Sequence, residues 1–155
     1  HISAPWRKYF SNKYFHNPHA IKQSPDGFVY LCSAGKTKDN NDRSACIRYP
    51  KILKAVETKG ALEKVWELDC RKYMNQPEQD AGGGGNVMPI EDNALFISLC
   101  LPYSNMFIVN RDKQLLWSAE TELRQPDGVS WVKYPKYRAS VITRQQLEQM
   151  IWQGK

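Results

Sequence analysis

Histidine is scarce in this chain of 155 residues: there are three, His1, His16 and His19, and none after residue 19. Most of the sequence therefore lacks the side chain that most often acts as general base or metal ligand near neutral pH. The four cysteines, Cys32, Cys46, Cys70 and Cys100, have no CxxC spacing, which argues against a zinc site and against thioredoxin-type redox chemistry. No GxSxG elbow is present, and no cysteine sits in a recognisable nucleophile setting. The AGKT at 34–37 lacks the leading glycine of a phosphate loop, since position 30 is Tyr. The four glycines at 82–85 lack the GxGxxG order of a dinucleotide site. No apolar stretch approaches the roughly 18 residues that span a bilayer. Glu91/Asp92 and Glu120/Glu122 lie in or beside turns, where solvated carboxylates are the default. These absences leave no dedicated catalytic constellation, metal cluster or cofactor fingerprint, and none is expected.

What is present is a strand signature. From Asn86 to Trp117 the apolar runs ALFISLCL, MFIV and QLLW alternate with turns at Glu91–Asn93, Pro102–Asn105 and Asn110–Lys113. Short runs of Val, Ile, Phe and Leu bounded by Asn, Asp, Ser and Pro read as antiparallel strands joined by tight turns. Upstream, Ser24-Pro25-Asp26-Gly27 is a turn and FVYLCS a strand, followed by a polar, basic loop at 34–44. Residues 50–74 are ambiguous. Leu62, Val65, Trp66, Cys70, Tyr73 and Met74 fall at helical spacing, yet LEKVWELD also fits a strand after a Lys-Gly turn; the spacing tilts part of the segment towards helix. Residues 78–86 form a flexible glycine-rich loop. VSWVKY and RASVI are further strand candidates. Thr143 with Gln146 makes a capping box that opens a helix over 144–153. The expected fold is a single domain over 1–155, mainly β with α+β possible: a twisted antiparallel sheet or small propeller-like array with a C-terminal helix.

A weak repeat runs through the chain. PDGFVYLCS from Pro25, EDNALFISL from Glu91 and PDGVSWVKY from Pro126 are each an acidic turn leading into a strand. Leu/Trp-bearing segments follow: ALEKVWELD, KQLLWSAE and QLEQMIWQ. This cadence resembles the blades of β-propellers, including aryl-sulfotransferase and quinoprotein types. The resemblance implies a fragment or small relative of such an enzyme, with His16, His19 and Arg48 as the transfer residues.

The net charge of +6 is uneven: residues 1–60 hold eleven Lys and Arg against four Asp and Glu, and the remainder is nearly balanced. Such asymmetry points to an acidic partner, and without a helix-turn-helix, RNP-like or zinc-finger pattern nucleic acid is not expected. Trp6, Arg7, Lys8, Tyr9 and Phe10 interleave aromatic and basic residues, the composition of an interaction hot spot; they also fit a segment strapped over the core. Lys36, Lys38 and Arg43 make the 34–44 loop basic. An even cysteine count and a first residue other than Met fit a periplasmic or secreted protein with up to two disulfides among Cys32, Cys46, Cys70 and Cys100. A Cys32–Cys46 bridge would close the basic loop at its base. In size, apparent export, cysteine count and lack of catalytic groups the chain is similar to the small periplasmic immunity proteins, some lipid-anchored, that neutralise toxins such as those of type VI secretion. That resemblance implies a non-enzymatic inhibitor that binds a toxin's active-site cleft. A His at position 1 also resembles the copper-binding terminus of lytic polysaccharide monooxygenases, which would require His16 or His19 as a second ligand.

Overall fold

The computed structural model describes residues 19–23, 29–36, 48–59, 61–74, 85–90, 93–99, 103–134 and 139–153. Ten strands and one α-helix follow in chain order: β1 (His19–Gln23), β2 (Val29–Lys36), β3 (Arg48–Thr58), β4 (Ala61–Asp69), β5 (Asn86–Ile90), β6 (Ala94–Ser98), β7 (Asn105–Val109), β8 (Leu115–Glu120), β9 (Glu122–Arg124), β10 (Trp131–Lys133) and α1 (Arg144–Gln153). A 3-10 turn, Cys70–Tyr73, follows β4. The molecule is mainly β with antiparallel sheets and a C-terminal helix, as the strand pattern implies. The described sheets close into neither a barrel nor a propeller.

Two four-stranded antiparallel meanders, β1-β2-β3-β4 and β5-β6-β7-β8, are followed by the two-stranded hairpin β9–β10. The three turn-plus-strand repeats of the sequence fall on β2, β6 and β10, the second strand of each successive unit. Two of the Leu/Trp segments are β4 and β8, the fourth strands, while the third is α1. The turns are built by residues that tolerate the left-handed region. Lys59, Asn93 and Lys113 have φ of 52°, 60° and 63° between β3 and β4, β5 and β6, and β7 and β8. Around Lys113, Asn110 fixes the turn by accepting from the Gln114 backbone N–H at 2.9 Å through Oδ1.

Residues 50–74 are two long strands and a 3-10 turn rather than helix. The register explains the misleading spacing. Lys54 pairs with Trp66 and Ala55 with Lys64, so Val65 is an extra residue on β4. A bulge of this kind breaks the period-2 alternation and moves apolar residues towards helical intervals. The 34–44 stretch is also not all loop, since β2 continues to Lys36, which pairs with Arg48. RASVI is not a strand: its described residues, 139–142, have no ladder partner.

The core lies between the two meanders. In the register, Cys32, Ile52 and Leu68 stand side by side across β2, β3 and β4. They join Leu95, Ile97, Phe107 and Val109 of the second sheet in one buried cluster. Tyr73, from the 3-10 turn, stitches the two sheets together. Its ring lies 5.2 Å from that of Phe107, and its hydroxyl donates to the Lys113 carbonyl in the β7–β8 turn. The Trp66 indole N–H donates to the Arg111 carbonyl of the same turn at 3.4 Å.

The cysteines correct an expectation. Cys32 and Cys70 are thiols, both buried in the core cluster, and no disulfide forms among the described residues. Cys32 is a thiol, so the expected Cys32–Cys46 bridge is not made. The base of the 34–44 excursion is the Lys36–Arg48 pair, while Cys32 lies four residues inside the strand opposite Ile52. Cys46 and Cys100 lie outside the described residues.

Candidate functional site

Two surfaces stand out, one charged and one apolar. The charged one lies at one end of the first sheet's outer face, beside the buried Leu53. Tyr49, Lys51, Glu67 and Asp69 all point away from the core because they alternate with Pro50, Ile52 and Leu68. Glu67 receives Lys64 at 2.8 Å and Lys51 at 3.6 Å. Asp69 caps the 3-10 turn by accepting the Arg71 backbone N–H at 3.0 Å. The same carboxylate binds the Arg71 guanidinium in a fork, and that guanidinium stacks 3.7 Å above the Tyr49 ring. Burial pushes Glu67 up, but the hydrogen bond from Lys64 and the charge of Lys51 outweigh it, leaving the carboxyl below its ordinary range. Asp69 follows the same logic: burial raises it, and the hydrogen bonds and charge of Arg71 bring it lower. Burial, then the Asp69 charge, raises the Tyr49 phenol. Carboxylates held ionised by cations are poor general acids, and neither is poised near neutral pH as a base would be. This face is an ion-pair network.

The network also absorbs part of the basic N-terminal third. Lys51 is only 8 % exposed and engaged with Glu67, while the Lys54 ammonium lies 5.3 Å from the centre of the Tyr30 ring. Among the described residues no group of three or more His, Cys, Asp or Glu could hold a metal ion, and no helix is long and apolar enough to cross a membrane.

The apolar surface belongs to the C-terminal third. All but one of the exposed large hydrophobic side chains that the structure describes lie between Leu115 and Trp152; the exception is Val65. On β8, Leu116 is 57 % exposed and Trp117 44 % exposed. Leu115 pairs with Val109 and Trp117 with Ile108, so Leu116 is an extra residue that puts three apolar side chains in a row on an outer strand. On α1, Leu147, Met150 and Ile151 form an i, i+3, i+4 stripe that is open to solvent. The helix itself is well made. Thr143 Oγ1 accepts from the Gln146 N–H at 3.1 Å and Gln146 Oε1 accepts from the Thr143 N–H at 2.8 Å, the reciprocal capping box read from the sequence. A capped amphipathic helix of ten residues whose apolar stripe is about half exposed has room for a partner, because isolated helices of this length are marginal in water.

Of the residues singled out in the sequence, the structure brings only the backbones of His19, Lys36 and Arg48 to one end of a sheet, among the described residues. Trp6, Arg7, Lys8, Tyr9, Phe10, Lys38, Arg43, His1 and His16 lie outside the described residues. The backbones of His19, which begins β1 opposite Cys32, and of Lys36, which ends β2 paired with Arg48, lie towards the same end of the first sheet, away from the β1–β2 turn. Sequence reasoning missed the C-terminal surface because QLLW and LEQMIW read as core-forming segments. The signal lay in Leu115-Leu116-Trp117, since three consecutive apolar residues do not fit a half-buried strand.

No family model matches the chain, and no curated protein or solved structure matches it.

Proposed function

We propose that this chain is a non-enzymatic protein-binding protein of the periplasm or cell exterior. Its role is that of an inhibitor or immunity protein blocking a secreted or envelope-acting toxin enzyme. One observation supports it above others: the apolar side chains exposed from Leu115 to Trp152 gather on one third of the chain, around tryptophans, the residue type most enriched in binding hot spots. Exposed apolar side chains in such number, on β8, the β9–β10 hairpin and α1, support an interaction site. The net charge of +6 steers the protein towards an acidic face of its target.

The test is capture of partners on the immobilised chain, followed by mixing of the purified pair. Stoichiometric loss of the partner's enzyme activity is the expected result, with association slowing as salt rises. Leu116→Asp and Trp117→Ala each weaken the complex about tenfold to a hundredfold, on the scale of a hot-spot truncation. A captured enzyme that stays fully active in the complex, or a complex indifferent to both substitutions, overturns the reading.

A second reading has its own support. Two successive four-stranded meanders, each with the turn-strand repeat on its second strand, are built like propeller blades. In that reading the chain is a small relative or part of a propeller protein of the aryl-sulfotransferase or quinoprotein kind, and the exposed surface is where another blade packs. Its discriminator is the natural polypeptide: a much longer product detected by mass in the source cell favours the propeller reading.

A further inference from the structure

The β9–β10 hairpin combines a well-formed turn with strands whose apolar side chains are about half exposed. Asp127 Oδ1 accepts from the backbone N–H of Val129 and of Ser130, each at 2.9 Å. Gly128 takes the positive φ of 71° that the turn needs, and the Arg124 guanidinium donates to the Gly128 carbonyl. Yet Leu123, Trp131 and Val132 are 48 %, 59 % and 46 % exposed. A two-stranded hairpin is marginal alone, and three or more strands are needed for independent stability. Both preceding units have four strands, and in each the second strand is flanked on both sides. β10, in the equivalent position, has β9 on one side and no partner on the other among the described residues.

The open edge has a defined chemistry. The Gln125 N–H donates to the Ser130 carbonyl and the Tyr134 N–H to the Thr121 carbonyl, both at 2.8 Å. With Trp131 opposite Arg124, Val132 opposite Leu123 and Lys133 opposite Glu122, the alternation of an antiparallel ladder turns the Val132 N–H and C=O towards β9. Those of Trp131 and Lys133 turn outward. An antiparallel edge can be its own complement across a two-fold axis.

We infer that a second copy of this chain occupies the edge, β10 pairing antiparallel with the partner's β10 about a two-fold axis through Val132. In this register each Trp131 stands opposite a Lys133 of the other copy, and the outward N–H and C=O groups of both residues are satisfied together. The two hairpins then form one four-stranded antiparallel sheet, the size of the other two units. Trp131 and Lys133 share a face, so each lysine stem lies across the opposing indole, while its ammonium keeps its 2.8 Å ion pair with Glu120. A register centred on Lys133 places like charges opposite each other and is disfavoured. The inference goes beyond the inhibitor reading, because it uses the β10 edge and leaves β8 and α1 for a target.

Sedimentation of the whole chain over a range of concentrations tests it. A reversible dimer is expected, tighter at higher salt because two copies of charge +6 repel. Lys133→Pro removes an edge donor without touching the β9 ladder and raises the dissociation constant more than about tenfold, whereas Lys133→Ala, which keeps the donor, changes it far less. A pair not hydrogen-bonded across the axis brings Cα atoms to about 4.5 Å, within disulfide reach. Val132→Cys therefore gives a covalent dimer under mild oxidation, in excess of the unsubstituted chain, and Leu123→Cys on β9 does not. A chain that stays monomeric at high micromolar concentration overturns the inference. So does a dimer insensitive to Lys133→Pro and not trapped by Val132→Cys.

Discussion

The two four-stranded meanders share a topology and differ in what lies on their outer faces. In the first sheet Cys32, Ile52 and Leu68 lie on the core face, and the other face is mixed. It carries Tyr49, Lys51, Glu67 and Asp69 in an ion-pair network at one end, and beside them Leu53 and Ala55, both fully buried. In the second sheet the central strand β6 is buried at every position. Leu95 and Ile97 face the first sheet, and Ala94, Phe96 and Ser98 face the opposite way. That second face is covered in part by the C-terminal segment: Asn86, paired with Ser98, donates to the Ala139 carbonyl at 3.0 Å. An antiparallel sheet normally leaves one face to solvent, and a strand covered on both faces reads as a continuous apolar run. The second sheet is thus an inner layer at β6 whose outer cover thins out towards β8, while the first carries charge at one end of a face that is buried at Leu53 and Ala55. The first sheet's outer face carries an ion-pair network, and the exposed large apolar side chains lie almost all in the C-terminal third.

The largest expected effect comes from breaking the seam that joins the sheets. Phe107 is fully buried in the shared cluster and touches Tyr73 of the first unit. Phe107→Ala should destabilise by about 3–5 kcal/mol, with far-UV circular dichroism and tryptophan fluorescence tracing one denaturant transition. Two separate transitions would mean that each meander folds alone. Tyr73→Phe keeps the ring contact, deletes the donor to Lys113, and should cost about 1 kcal/mol.

Next in size is the pH response of the first sheet. Glu67 and Asp69 have lowered pKa values in the fold, so the stability they contribute is complete above their unfolded pKa and is lost as pH falls through the folded one. Both are about a third exposed, so solvent screening holds each contribution to roughly 1 kcal/mol or less. At the alkaline end the sign reverses. Burial raises Tyr49 and raises Cys70 well above the ordinary thiol range, its pKa lifted further by Cys32 and Asp69. The unfolded chain releases these protons first, and stability declines as pH climbs past the usual thiol and phenol values. Denaturant midpoints between acid and neutral pH check the first claim, with Asp69→Asn flattening the acid limb. Slow reaction of Cys70 with a thiol reagent until the protein unfolds checks the second.

The inner layer was the most legible part of the sequence, and for the same reason it is inner. ALFISL is continuous because β6 is covered on both sides, and its turns carry the Asn residues that strand boundaries favour. The capping box gave α1 its observed bounds, Arg144–Gln153. The repeat on β2, β6 and β10 was visible as turn-strand pairs, although the strands of the first unit are longer than those of the second and the spacing is unequal. What misled was local irregularity and unused potential. The bulge at Val65 imitated a helix, and even cysteine counting suggested bridges where Cys32 and Cys70 pack as core thiols. The exposed surface was hidden because composition cannot say which apolar residues a fold fails to cover.

The smallest effects separate the inner layer's buried side from its open one. Ser98 is fully buried on β6 and its Oγ has no hydrogen-bond partner among the described residues. An unsatisfied buried hydroxyl costs about 1–3 kcal/mol, so Ser98→Ala, which removes the group and leaves a void of one oxygen, should be neutral or stabilise by about 1 kcal/mol. A clear loss of stability would mean that the hydroxyl is satisfied in solution and that this face is wetter than an inner layer should be. On β8 the same sheet should tolerate the opposite kind of change. Leu116 is the extra residue of its strand and more than half exposed, so Leu116→Lys should shift stability by no more than about 0.5 kcal/mol. If it instead destabilises the isolated chain by several times that amount, Leu116 is covered within the chain itself, and the apolar surface would no longer be open to a partner.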